Sequence, residues 1–296
     1  MKRIIKPAIT VFLVAVLIAA FSDRSSGQIL DPRAWKKENV KNRIPITWTY
    51  LREADVMWAK RIWRIVDMRE KINLPLYYPL TPIYDRVSLF DVLYQAMMSG
   101  TDNFPPHPKN YDPLTAYKSD EFDEPYTPQE VAFAAYIRFT TTSYDADGNK
   151  TTSIDSMPVQ TKDVTQYMLM EDWFFDRNRS VMDVRIIGIA PIYYGYQMDE
   201  NGEKTMKPDP TMMCYFYFPE ARWFFAEKEV FNRQNDAERR SYDDVFWKRI
   251  FGSYIFKEEN VFDRTIKEYA IGMDALLEAE RIKYELFKIE HDLWEY

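Results

Sequence analysis

Cys214 is the only cysteine in the 296-residue chain, so no internal disulfide can hold its fold together. The constraint is sharp because the chain begins like an exported protein. Lys2, Arg3 and Lys6 form a positive start, and Ile9 to Phe21 is an apolar run interrupted only by Thr10. Ser25-Ser26-Gly27 then supplies small residues for cleavage. The run is shorter than the roughly 20 apolar residues of a membrane-spanning helix. Residues 1–27 are therefore expected to be a signal peptide cleaved after Gly27, with an uncleaved anchor as the alternative. No cysteine follows the run to carry a lipid. An exported compartment allows disulfides, yet this chain has to rely on a packed core, and it is long enough for one large domain or two small ones.

The remainder is acidic. Residues 1–27 carry a net +3, and removing them takes the formal charge from −7 to −10. Phosphate binding needs a basic face, so nucleic acid is not an expected partner. Residues 28–49 run against this trend. Arg33, Lys36, Lys37, Lys41 and Arg43 outnumber Asp31 and Glu38 and show no apolar period, which reads as an extended arm that orders on an acidic neighbour.

Aromatic residues make up 16% of the chain and there are only 8 glycines. Phosphate-binding glycine loops are absent, and the tyrosine and tryptophan surplus suits both cores and partner surfaces. The expected fold class is α+β, with mixed helices and β-hairpins in one core (residues 50–262) and a long C-terminal helix (263–296). Within Arg52 to Tyr78, Val56, Ala59, Trp63 and Val66 recur at helical spacing, with Lys60, Arg64, Asp67 and Lys71 on the other side. The pattern predicts an amphipathic helix from Glu53 to Ile72, with Trp63 and Val66 inward. Lys60, Arg64 and Lys71 are expected to be exposed or salt-bridged, a candidate partner surface together with Arg33, Lys36 and Lys37. Asn73-Leu74-Pro75 should end that helix, leaving Leu76-Tyr77-Tyr78 extended.

Arg177 to Tyr194 matches Arg61 to Tyr78 at six positions, including Asp67/Asp183, Pro75/Pro191 and Tyr78/Tyr194, which raises the possibility of a diverged internal duplication. Ser88 should cap a helix over Leu89 to Met98, and Thr127-Pro128-Gln129-Glu130 has the form of a capping box. Hairpins are expected around Asp147-Gly148 and Asn201-Gly202. Helices are expected over Val164 to Arg177, Glu220 to Phe231 and Tyr242 to Phe251. Toward the C-terminus, Ile266, Ala270, Met273, Leu277, Glu280, Tyr284, Phe287, His291 and Trp294 follow a 4-3-4-3 spacing, a heptad-like seam.

Catalytic patterns are sparse. His107 and His291 lie far from each other and from Cys214, which argues against zinc. Asp145 to Asn149 imitates the start of a calcium loop, but its glycine and final ligand are misplaced, so it reads as a hairpin turn. No catalytic, cofactor or metal residues are assigned. Asp67/Arg69 and Asp183/Arg185 read as structural ion pairs, and the acidic cluster Asp120, Glu121, Asp123, Glu124 as a solvated loop.

One resemblance goes further. Tyr50 to Pro79, "YLREADVMWAKRIWRIVDMREKINLPLYYP", closely resembles the GldN (PorN) family of gliding-motility and type IX secretion proteins of Bacteroidetes. So do "LFDVLYQAMM" (Leu89 to Met98), "MEDWFFDRNRSVM" (Met170 to Met182) and "RIIGIAPI" (Arg185 to Ile192). The resemblance implies a non-enzymatic periplasmic component without assigned catalytic residues. It would sit in rings beneath the outer membrane with a GldK/PorK-type lipoprotein, and meet the periplasmic part of the GldM/PorM motor protein. The residues alone leave two alternatives: an exported hydrolase using carboxylates in the 101–127 loop or near Asp183, and a monomeric periplasmic binding module.

Overall fold

The computed structural model describes residues 42–83, 86–99, 107, 109, 111–144, 150–198, 204–235 and 237–292. The arm residues Arg33, Lys36 and Lys37, the signal segment and the Asp145 to Asn149 turn lie outside them. In chain order the elements are β1 (Val56–Asp67), α1 (Leu74–Tyr77), α2 (Leu89–Met98), β2 (Ala116–Tyr117), α3 (Pro128–Ala134), β3 (Tyr136–Tyr144) and β4 (Lys150–Pro158). They continue as β5 (Val164–Asp176), β6 (Val181–Met198), β7 (Lys204–Met212), β8 (Tyr215–Tyr217), α4 (Phe218–Glu227), β9 (Glu229–Val230) and β10 (Arg240–Ser241). The last four are α5 (Tyr242–Trp247), β11 (Tyr254–Glu258), α6 (Ile266–Tyr269) and α7 (Met273–Asp292). This is the expected α+β class, with both hairpins in place as β3–β4 and β6–β7.

The main sheet is antiparallel in the order β11-β1-β5-β6-β8-β2, with β7 also paired to β6. Its centre overturns two helix expectations, since both Glu53 to Ile72 and Val164 to Arg177 are occupied chiefly by strands. In β1, Ile62 through Val66 are all buried. Even-numbered Ile62 and Val66 face the helices, while odd-numbered Trp63 and Ile65 face the opposite layer with Met168, Met170, Ala190 and Ile192. A strand covered on both faces loses its period-2 signature. The helical spacing of Val56, Ala59, Trp63 and Val66 was therefore coincidental. Trp63 and Val66 are inward as expected, on opposite faces of a strand.

The helix-covered face carries two apolar clusters. Val66, Leu169 and Ile189 pack with Leu89 and Leu93 of α2, Ala221 and Phe225 of α4, and Val245 and Phe246 of α5. Ile62 and Ile255 pack with Ala279, Ile282 and Leu286 of α7. The other face is closed in part by the acidic loop. Trp63 Nε1 donates to Asp120 Oδ2 at 3.1 Å, and Phe122 stacks edge-on between Tyr117 and Tyr217. A Cβ on Gly188 would stand 2.7 Å from the Phe122 ring, so glycine leaves the room that ring occupies.

Local signals were read well where they are self-contained. Ser88 caps α2 and Thr127 caps α3, each with a reciprocal capping box. Other boundaries moved. Asn73 precedes a single helical turn, α1, where an extended segment was expected, because its buried amide binds Asp67 O and Gly252 O and ties the turn to the loop after α5. The Glu220 to Phe231 helix gives way to β9, which pairs with β10. The Tyr242 to Phe251 helix stops at Trp247, where Arg249 takes a left-handed φ of 53°. The long C-terminal helix is broken at Gly272, φ 62°, into α6 and α7. The two matching segments occupy unlike elements, which does not support a duplication: Pro75 lies in the first turn of α1, Pro191 inside β6.

Candidate partner interface

Lys60 and Arg64 alternate onto the helix-covered face of β1. Lys60 pairs with Glu258 of β11 at 2.6 Å. Arg64, read from the sequence as part of a basic surface, is 8% exposed. Its burial follows from Glu171 on the neighbouring strand β5, which is fully buried. Arg64 Nε lies 3.0 Å from Glu171 Oε2 without hydrogen-bond alignment, and Arg64 Nη1 donates to Ser253 Oγ at 3.4 Å. Glu171 also accepts from Arg249 Nη2 at 2.8 Å and from Trp173 Nε1 at 3.0 Å. Arg249 is the residue at the left-handed end of α5. A non-glycine residue there costs roughly 1 kcal/mol or more, and its contact with Glu171 is the structural return. Burial lowers the Arg64 pKa, Glu171 opposes that shift, and Arg249 adds to it.

Beside this triad, a cleft of about 380 Å³ is lined by Arg64, Trp173, Arg249, Phe251, Lys283 and Phe287. Lys71 is not part of it and stands exposed in the turn after β1. Of the two ion pairs read from the sequence, Asp67–Arg69 is present at 2.6 Å. Asp183 instead pairs with Arg179 at 3.0 Å, while Arg185 donates to Thr49 O at 2.6 Å.

That last contact belongs to the described end of the arm. Residues 43–52 have no regular secondary structure, but side chains hold them down. Trp48 lies 5.3 Å from the Arg185 guanidinium and 5.2 Å from that of Arg222. Arg222 also faces Trp247 and is fixed by a buried two-point contact to Asp243, at 2.7 and 3.0 Å. Arg43 pairs with Asp244 at 2.9 Å.

Two carboxylates of the acidic loop have structural partners, while Glu121 and Glu124 are exposed. Asp120 holds Trp63, and Asp123 accepts from Ser119. Glu130 accepts from the Thr127 backbone and side chain and from Lys118, which together lower its pKa to about 2. A cavity of about 470 Å³ is lined by Tyr111, Asp112, Leu114, Glu220, Trp223 and Phe224. Burial raises the Glu220 pKa there. Among the described residues, no cluster of three or more His, Cys, Asp or Glu could hold a metal ion.

The least expected surface is on α7. Its inner row is Ala275, Ala279, Ile282 and Leu286. The seam read from the sequence faces away: Met273 is 69% exposed, Leu277 60%, Tyr284 65% and Phe287 59%. Fold and surface together define an α+β scaffold that buries its charges in ion pairs and leaves an apolar helix face open. A family model described as gliding motility associated protein GldN matches residues 51–295, and the chain belongs to that family. Membership connects it to the gliding-motility and type IX secretion machinery. None of the curated proteins matches the chain.

Proposed function

We propose that this chain is a non-enzymatic, periplasmic assembly component of the type IX secretion and gliding machinery. It is held beneath the outer membrane in a ring with a GldK/PorK-type lipoprotein, and it meets the periplasmic part of a GldM/PorM-type motor protein. The family match over residues 51–295 carries this reading. The open face of α7 supports it, since contiguous exposed apolar surface marks interaction sites. The basic arm with Arg33, Lys36 and Lys37 orders on an acidic neighbour in the assembly. Size-exclusion chromatography with light scattering, with and without the lipoprotein, tests this. The chain should move into large assemblies with the lipoprotein, and deletion of residues 28–42 should weaken that shift without unfolding the core. A chain that stays small beside the lipoprotein overturns the reading.

One observation favours a second reading, an exported carboxylate-dependent hydrolase. Asp112 and Glu220 share an aromatic-walled cavity, and Glu220 has the raised pKa suited to an acid. Glu220→Gln should then abolish turnover of a glycan substrate while leaving assembly intact. Absence of turnover by the wild-type chain removes this reading.

A further inference from the structure

A surface helix needs one apolar row, and α7 has two. The inner row, Ala275, Ala279, Ile282 and Leu286, steps 4-3-4 along the helix and packs on the sheet. The outer row, Met273, Leu277, Glu280, Tyr284, Phe287 and His291, steps 4-3-4-3-4. Tyr284 follows Ile282 by two residues, about 200° around a helix, so the two rows lie on different faces, with Phe287 at the margin where it also borders the cleft beside Arg64. Isolated apolar residues on a surface are ordinary. A row in heptad register, with Tyr284 and Phe287 rings 6.4 Å apart and Phe287 and His291 rings 6.1 Å apart, has the form of a coiled-coil seam that no second helix covers among the described residues.

The sequence of the seam states what fits it. Set against a reversed copy of itself and centred level with Ile282, it brings Leu277 opposite Phe287, Glu280 opposite Tyr284, and Met273 opposite His291. Each layer occurs twice by symmetry. Two of the three polar seam residues then meet each other: the Tyr284 hydroxyl can donate to the Glu280 carboxylate of the other copy. At the flanks, Asp274 comes beside Lys288, again twice. Two like-charged contacts lie near the axis. Arg281 meets Arg281, but each is already neutralised within its own helix by Glu278 and Glu285. Lys283 approaches Lys283, each with Glu280 of its own helix 3.5 Å away. A parallel pairing would instead set Glu280 against Glu280 in the seam, where like charges are costly.

We propose that the outer face of α7 is a self-association surface, through which two copies of this chain pair antiparallel about a two-fold axis level with Ile282. This deepens the assembly reading above by naming one partner as a second copy, and it can be tested on the purified chain without the lipoprotein.

Cys214 is buried, so introduced thiols report cleanly. Leu277→Cys and Phe287→Cys sit at exposed positions and should not disturb folding. Under mild oxidation, a mixture of the two variants should form a disulfide-linked dimer, while each variant alone should not. Cross-linking of Leu277→Cys with itself would mean a parallel or unrelated contact and overturns the proposal, as does the absence of any mixed cross-link. In parallel, light scattering should find the wild type dimeric. Leu277→Glu, with an unchanged circular dichroism spectrum, should dimerise about 100-fold more weakly, because the substitution enters the interface twice. A Leu277→Glu chain that dimerises like wild type sinks the self-pairing. If it still joins assemblies with the lipoprotein, the broader reading stands independently.

Discussion

Strand β1 and helix α7 invert the usual placement of side chains in opposite ways. In β1 a guanidinium, Arg64, is buried between two apolar clusters, whereas in α7 five large apolar side chains face solvent. The strand can hold its charge because Glu171 is one strand away and Ser253 accepts from Arg64 Nη1, although Arg249, a second cation on Glu171, works against it. The helix has no such compensation among the described residues, as its inner row already satisfies the sheet. A buried charge with partners is an internal structural commitment. An exposed seam is directed at something outside.

The largest effect should come from reversing the buried charge. Arg64→Glu would set a second carboxylate against Glu171, and removing one partner of a buried pair already costs about 3–5 kcal/mol. Against the roughly 5–15 kcal/mol that holds a typical domain, the variant should be largely unfolded by circular dichroism. A soluble, cooperatively melting Arg64→Glu protein would remove the contrast between the two regions. Trp63→Ala, on the opposite face of the same strand, should cost about 3–5 kcal/mol in urea unfolding. Its indole also anchors the acidic loop through Asp120, so protection of that loop from proteolysis should fall as well.

Acid should act next, through the carboxylates rather than the core. The Arg69 side chain holds the Asp67 pKa below its ordinary value, and Glu130 is lowered to about 2 by the Thr127 backbone, Lys118 and the Thr127 hydroxyl. For a depressed pKa, the stabilising contribution is complete above the ordinary carboxylate value and is lost as pH falls through the folded value. The thermal midpoint should therefore be level at mildly acidic pH and fall as pH drops below about 4.5 toward 2. Asp67→Asn and Glu130→Gln should each flatten that fall. The smallest effect belongs to α7. Leu277→Ser, on the exposed face, should change the unfolding free energy of the isolated subunit by no more than about 0.5 kcal/mol. A change of several kcal/mol at dilutions where the chain is monomeric would show that this face is packed within the subunit.

What could be read in advance follows the same division. The caps at Ser88 and Thr127 and the two hairpins depend on residues close in sequence, and each was legible. The α7 seam was legible as a spacing but not as a direction, because a second row two residues out of phase claimed the core. β1 and β5 misled because both faces are covered, so Trp63 and Ile65 are as apolar as Ile62 and Val66. Glu171 gave no signal at all. Its partners Arg64 and Arg249 are distant in the chain, and only the β1–β5 pairing and the turn after α5 bring them together.

The anchoring of residues 43–52 has a mechanical meaning. No β-ladder ties this stretch to the sheet. It is held by the Arg43–Asp244 pair, the Arg185 contact to Thr49 O, and the Trp48 ring set against Arg185 and Arg222. Tension applied ahead of Arg43 would load these contacts in succession, each yielding before the next takes up the pull, as in a peeling tape. The last of these contacts along the chain is Thr49 O with Arg185 of β6, so force on the arm is shared between the central sheet, through Arg185, and the helical layer, through Arg222 clamped to Asp243 beside Trp247.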